Sequence, residues 1–294
     1  MPVLALANQK GGVAKTTSTI SLSAVWAELG DRVLLVDCDP QAALTFSMGV
    51  DPDALDVSLH DVLIGRVGIA DILWEAHGCH LAAATIDLAG SEAFLLTKTG
   101  REFALAKALR KLNDAYDVIV IDCPPSLGIL TINALTAADE VLIPLQCESL
   151  SLRGMSQLLE TIEDVQSFTN DALNVRGVIA TMFDSRTNHS KEILEKVHEN
   201  FGLDVIGPPV RKSIRFAEAP ARGETIFSRA RRTPGAQAYR DIAAELRTWA
   251  SDEVDLILDD LDLPDSSGAQ LDAGSATSSS VGAGGPTRVG VTTS

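Results

Sequence analysis

Five apolar runs restrict the folds open to this chain, because none of them alternates polar with apolar residues. They are VLALAN (3–8), RVLLVDCD (32–39), YDVIVIDCPP (116–125), EVLIPLQ (140–146) and NVRGVIATMF (174–183). A strand wetted on one side repeats every second residue, so a continuous run means cover on both faces. Helical stretches fall between most of the runs, at about 101–112, 127–138, 152–168, 190–200 and 234–250. A further one, TTSTISLSAVWAELG (16–30), ends where Gly30 can take the left-handed conformation. The expectation is an α/β fold, a single doubly wound and mostly parallel sheet with helices on both faces. DVIGPPV (204–210) is a candidate sixth strand, and 51–100 yields only helix plus an irregular strand near HLAAATID. Ligands of such folds sit at the carboxyl ends of the strands.

Composition excludes several classes. With 46% hydrophobic residues the chain buries a substantial core, yet no run of about 18 apolar residues exists to span a bilayer. No basic region precedes VLALA, so a secretory signal is not expected and the reading is cytoplasmic. Cys38, Cys79, Cys123 and Cys147 are scattered singly, which suits small buried side chains better than zinc or disulfides. The net charge is −16, but 211–240 holds eight arginines and lysines against Glu218 and Glu224. Such asymmetry suits either a surface facing a polyanion or a solvated basic face. Residues 1–250 form the expected domain. In 251–294, SDEVDLILDDLDLPD carries seven acids and no base, and the Gly/Ser-rich remainder reads as a disordered tail.

The first apolar run opens into NQKGGVAKTT (8–17), a near match to the phosphate loop G-x-x-x-x-G-K-[ST] that has Gln9 and Ala14 where the strict pattern has glycine. A loop between a strand and a helix N-terminus turns several N–H groups toward one spot. Gly11 and Gly12 let the backbone approach, Lys15 reaches the β- and γ-phosphates, and the Thr16 hydroxyl can ligate Mg²⁺. Ala14 fits at no cost if it takes helical φ. Two other runs end in acids, Asp37 and Asp39 in VLLVDCDPQ and Asp122 in VIVIDCPPS, where a carboxylate can hold Mg²⁺ or merely cap a turn.

With these residues in view, the sequence resembles the deviant-Walker ATPases of the ParA/MinD group, and within them the short, Soj-like ParA partitioning ATPases. The resemblance runs through KGGVAKTT, LLVDCDPQAALT, YDVIVIDCPPSLG, TMFDSRT, IRFAEAPARGETI and PGAQAYR, over about residues 2–250. It implies a P-loop NTPase of the deviant Walker A type, whose loop pattern K-G-G-x-x-K-[ST] is satisfied from Lys10 through Thr16. It also implies ATP and Mg²⁺ as cofactors, held by Lys10, Gly11, Gly12, Val13, Ala14, Lys15, Thr16 and Thr17. Thr16, Asp37, Asp39 and Asp122 are the implied metal-side residues, Asp37 and Asp122 acting largely through water. Asp39 aligns with the residue that orients the attacking water, so Lys10, Lys15 and Asp39 form the implied catalytic set. Where the family carries Pro-Arg-Asn near the adenine, this chain has Arg211, Lys212 and Ser213; Arg211 and Ser213 are thus the expected base-side contacts.

The same resemblance implies a homodimer on ATP binding, with Lys10 of each copy reaching the other's phosphates. It implies non-specific binding of double-stranded DNA by the ATP dimer through Arg186, Arg215 and Arg222, and a ParB-type partner that stimulates hydrolysis. The protein would then be cytoplasmic, nucleoid-associated in the ATP state, and engaged in chromosome or plasmid segregation. The chain starts at its first strand, so a helix-turn-helix extension and sequence-specific DNA binding are not expected. Rival readings keep the ATPase and change its cargo, or make it a membrane-cycling MinD-like ATPase, which the acidic end disfavours, as it disfavours any stable membrane association. A reductase resembling the nitrogenase iron protein needs cluster-ligating cysteines that Cys123 does not supply, and a DNA-coating protein without hydrolysis would not need Lys10, Lys15 and Asp39 together.

Overall fold

A computed structural model describes residues 1–112, 114–148, 151–219, 223–247 and 285–289. The strands are β1 (Val3–Leu6), β2 (Val33–Asp37), β3 (Leu73–Ala76), β4 (Cys79–Ala82), β5 (Val118–Asp122), β6 (Glu140–Gln146), β7 (Asn174–Thr181) and β8 (Thr287–Arg288). The helices begin with α1 (Lys15–Glu28), α2 (Ala43–Ser47), α3 (Leu59–Leu63), α4 (Leu88–Leu96), α5 (Ala104–Leu109) and α6 (Ile129–Ala137). They continue with α7 (Ser151–Phe168), α8 (Asn188–Phe201), α9 (Arg215–Glu218), α10 (Ile226–Ala230) and α11 (Pro234–Leu246).

The strands form one sheet in the order β7-β6-β1-β5-β2-β4-β3-β8. All neighbours pair parallel except β3, which runs antiparallel to β4 and to β8. β1, β2 and β5 are buried along their whole length, as continuous apolar runs require. The same alternation of side chains divides the core: Ala5, Val36 and Ile121 pack on one face, Leu4, Leu35 and Val120 on the other. On the second face α1 and α11 carry the packing. Trp26, fully buried, donates its indole N–H to Ala243 O at 3.0 Å, and the Ser18 and Tyr239 hydroxyls share a 2.8 Å hydrogen bond. Arg247 closes the pair with a bidentate contact to Asp31 at 2.8 and 2.6 Å. Thr233 caps α11, with Pro234 at the first helical position, where its missing N–H costs nothing.

The five apolar runs become β1, β2, β5, β6 and β7, and Gly30 ends the first helix with φ +92°. The candidate sixth strand does not form as a ladder. Among the described residues, two isolated bridges join this segment and the residue after it to β7 and its extension, Val178 to Val205 and Phe183 to Arg211. Between them Gly207 turns left-handed (φ +61°), and Pro208 and Pro209 offer no N–H, which breaks the ladder. Within 51–100 the irregular strand is β4, and β3 is an added antiparallel partner joined to it through the turn at His77 and Gly78, both of positive φ.

The expected tail lies outside the described residues except for 285–289. There β8 pairs Arg288 with Trp74 and Thr287 with Glu75, Val289 N donates to Leu73 O at 3.0 Å, and Val289 packs on the core. The disordered reading does not extend to these five residues: the two β-branched side chains within PTRV, Thr287 and Val289, suit the pairing of an open edge.

Gly207 tests this packing. A methyl group there would stand 2.6 Å from Ile242 Cγ1 and 3.2 Å from its Cα, in a left-handed backbone. Gly207→Ala is expected to lose roughly 2–5 kcal/mol, the sum of the left-handed penalty and overpacking. Denaturant unfolding followed by circular dichroism measures it; a midpoint within error of the parent would contradict the contact.

Candidate functional site

The parallel strands bring the loop and both strand-end acids to one edge of the sheet. Leu6 of β1 pairs with Asp122 of β5, and Asp37 of β2 pairs with Asp122 from the other side. The two carboxylates therefore end adjacent strands beside the loop that leaves β1. Asp122 accepts from the Thr16 hydroxyl at 2.6 Å and from Thr19 at 3.4 Å. Asp37 accepts from Thr45 N at 2.8 Å, Thr45 Oγ1 at 2.7 Å and Asp39 N at 3.1 Å. Thr45 Oγ1 also receives Ala84 N at 2.9 Å, so Asp37 ties β2 to α2 and to the segment after β4. Burial pushes the Asp37 carboxyl up to about 6, against the three hydrogen bonds that pull it down. Asp122 is raised as well, by burial first and by Asp37 second.

Lys15 is almost wholly buried, and its ammonium donates to Asn8 O at 3.0 Å and Lys10 O at 3.3 Å. Burial lowers its pKa, opposed chiefly by the charge of Asp122. It is thus threaded under the loop, and the loop carbonyls hold it in place. Gly12 takes φ +72°, which a side chain would resist. Ala14 corrects an expectation: it caps α1 with φ +69° and ψ +31°, in the left-handed and not the right-handed region. The strict pattern has glycine at this position for that conformation, and here the methyl group bears the strain.

Lys10 faces away from the loop's own interior. Its ammonium meets Glu148 Oε2 at 2.7 Å and Gln146 Oε1 at 3.2 Å at the end of β6, with about a third of the side chain exposed. Asp39 stands past the end of β2, its carboxylate accepting Gln41 N at 2.9 Å.

A cavity of roughly 340 Å³ adjoins the loop, bounded by Ala14, Thr17, Met182, Arg211, Ser213 and Phe216. Arg211 and Ser213 both line it. Met182 (φ +50°), Ile214 and Phe216, which line the same cavity, were not foreseen; the apolar Ile214 and Phe216 interrupting the basic run RKSIRF are the signal that marks them. Glu148 and Gln146 were missed too, since only the three-dimensional register sets the end of β6 opposite Lys10.

The arginines are dispersed. Arg186, in the loop after β7, pairs with Asp184 at 2.7 Å with 87% of its side chain exposed. Arg215 begins α9 and meets Glu218 at 3.4 Å. Arg222 lies outside the described residues. Arg231 and Arg240 both turn to Glu28 of α1, at 2.8 and 3.7 Å, so part of the basic segment is neutralised within the fold. All four cysteines are buried and free, their thiols raised by burial. Among the described residues no group of three His, Cys, Asp or Glu side chains could hold a metal. The donors at the loop are hard oxygens, one hydroxyl and a few carboxylates, which fit Mg²⁺ shared with phosphate and water better than a protein cage. No helix among the described residues is long and apolar enough to cross a membrane.

A family model described as an AAA domain matches residues 1–175. The chain is 42% identical over 246 residues to the sporulation initiation inhibitor protein Soj of Bacillus subtilis, covering 83% of this chain and 97% of that one. It is 40% identical over 248 residues to the chromosome partitioning protein ParA of Caulobacter vibrioides, covering 83% and 93%. Among solved structures it is similar to a Mycobacterium smegmatis protein named cobyrinic acid a,c-diamide synthase, with bound ADP and magnesium. There the identity is 50% and the TM-score 0.77, with 86% of this chain and 96% of that one covered.

Ala14→Gly relieves a left-handed penalty of about 1–2 kcal/mol and returns about 0.4–1 kcal/mol to the unfolded chain's entropy. The expected result is a net gain of about 1 kcal/mol in denaturant unfolding, with an unchanged slope and no loss of nucleotide affinity. A lowered midpoint would show that the methyl group contributes contacts that outweigh its strain.

Proposed function

The chain belongs to the ParA/Soj-like family of ATPases, and on that premise we propose that ATP joins two copies of it face to face and that hydrolysis parts them. The observation that carries this reading is the position of Lys10. Lys15 is buried under its own loop, whereas Lys10 reaches outward to a partly exposed carboxylate. An ion pair at that exposure contributes only about 0–1 kcal/mol. A phosphate of a second copy, carrying more charge, replaces Glu148 without a large penalty, and the cation then stabilises charge that develops in phosphoryl transfer. Binding and association thereby share one free energy.

The remaining residues divide the work. Backbone N–H groups from Gly11 to Thr17 and the α1 N-terminus receive the phosphates, with Lys15 on the β- and γ-groups. The cavity beside Thr17 takes the base and ribose between Met182 and Phe216, with Arg211 and Ser213 at its rim. Thr16, Asp39 and, through water, Asp37 and Asp122 are the groups that would hold Mg²⁺, which supplies charge neutralisation at the phosphates. Asp39, past the buried strand end and open to water, orients the attacking molecule.

In the ATP state the paired surfaces bind double-stranded DNA without sequence preference through Arg186, Arg215 and Arg222. The ion pairs of Arg186 with Asp184 and of Arg215 with Glu218 are weak enough to exchange for phosphate. With a ParB-type partner stimulating turnover, the switch would move chromosomes or plasmids on the nucleoid inside the cytoplasm. The name of the Mycobacterium smegmatis structure raises ATP-dependent amide formation as a second reading. Release of ammonia from glutamine within this chain would need an accessible thiolate, and all four cysteines are buried with raised pKa.

Lys10→Ala is expected to bind nucleotide within about threefold of the parent, the lost group being a rim cation. It should remain a monomer with ATP in sedimentation velocity and fail to retain DNA. A normal ATP-dependent dimer of this variant would refute the trans role. Asp39→Ala should bind ATP and stay dimeric while phosphate release falls by about 10²-fold or more. Undiminished turnover would remove Asp39 from the chemistry.

A further inference from the structure

A second concavity, of roughly 570 Å³, lies away from the phosphate loop, bounded by the α3–β3 connection, α4 and α5. Its lining includes the aliphatic side chains of Val62, Leu63, Ile69 and Leu95, all buried in the core. Five cations also line it: Arg66, Lys98, Arg101, Lys107 and Lys111. Asp71 is the lining carboxylate, and its Oδ2 already receives Gly68 N at 2.8 Å. Arg66 meets Asp61 at 3.3 Å and Arg101 meets Glu102 at 2.9 Å, while the Lys98 ammonium lies 4.5 Å over the Phe94 ring. Lys107 and Lys111 have no ion pair among the described residues. An apolar floor inside a cationic rim does not suit bare phosphate; it suits a chain that brings aliphatic side chains and carboxylates together.

We propose that this groove is the docking site of the chain's own acidic segment, residues 252–265. That segment holds seven acids and no base, complementary to the rim. Val254, Ile257, Leu258 and Leu261 recur at the i, i+3, i+4, i+7 spacing with which a helix fills an apolar groove. Both ends of the intervening chain are anchored to the same body. Arg247 follows α11, and β8 lies on β3 at the border of the groove, where Arg288 Nη2 donates to the backbone O of Asp71 at 2.7 Å. Residues 248–284 span that interval and, fully extended, reach more than 100 Å. Tethering at both ends gives the segment an effective concentration in the millimolar range, so modest affinity is enough for occupancy. The docked acids cover a cationic surface that would otherwise attract unrelated polyanions.

Zero-length carbodiimide coupling of the full chain, followed by peptide mass spectrometry, tests this. The expected products are amide links from Lys98, Lys107 or Lys111 to acids of 252–265, at monomer mass. Lys107→Glu with Lys111→Glu should cut the yield on the order of tenfold, which corresponds to about 1.4 kcal/mol for the two reversed rim charges together. Adding Asp259→Lys with Asp260→Lys to that variant should restore coupling with the polarity exchanged, and thermal melts confirm that each variant folds. Absence of these links in the parent chain would overturn the proposal, as would links found only at dimer mass, which would make a second copy the occupant. It would also fall if duplex DNA shielded the same lysines equally in the parent and in a variant with all seven acids amidated to Asn or Gln.

Discussion

Two carboxylates ending adjacent parallel strands are the constraint around which the rest is arranged. Asp37 and Asp122 stand in register and buried, and the lysine threaded under the loop faces Asp122 with its charge. Burying like charges together is costly, and the raised pKa of both groups expresses that cost. The fold offsets it locally. Thr16 and Thr19 donate to one carboxylate, Thr45 and the Asp39 amide to the other, and Lys15 supplies opposite charge. Thr16, Thr19 and Lys15 belong to α1, Thr45 to α2 and the Asp39 amide to the loop after β2, so the acids also fix how α1, α2 and the sheet meet. A site poised in this way gains most from a divalent cation with phosphate, because such a ligand relieves the repulsion and leaves the donor network standing.

The main sheet was legible because burial on both faces writes itself as uninterrupted apolar residues. VIVID and VLLVD needed no other information, and the acids that close them marked the ligand-bearing edge. The phosphate loop was legible through spacing. What escaped was set by contacts distant in sequence. β3 is short, with Trp74 half-buried and Glu75 exposed, and nothing periodic announces it. The pairing of PTRV with β3 joins residues more than two hundred apart, and within a Gly/Ser-rich stretch composition argues the other way. DVIGPPV shows the opposite failure, an apolar run whose glycine and prolines forbid the ladder its hydrophobicity suggests. Ala14 was misjudged because residue type alone does not give φ.

The two lysines of the loop show how one motif yields two chemistries. Lys15 is desolvated and held by carbonyls, so its position is fixed before any ligand arrives. Lys10 rests on Glu148 and Gln146, partners it can leave at small cost. Rigidity in the first and exchangeability in the second are what the proposed switch requires: one cation to define the ligand's seat, another to report whether a neighbour has come. The basic segment divides likewise. Arg231 and Arg240 are spent on Glu28, anchoring the turn before α11 to α1, while Arg186 stays open to water.

The small strand at the C-terminal end also has a bearing on how copies of this protein meet. Where β8 lies along β3, the β3 groups that face it are paired, the margin beyond is a strand of only two residues, and Val289 packs on the adjoining core. An unsealed margin invites strand-to-strand stacking of neighbouring molecules into open-ended filaments. An edge cut to two residues offers little to pair with, so association is steered to faces that rely on side chains and ligand, and so toward assemblies of finite size.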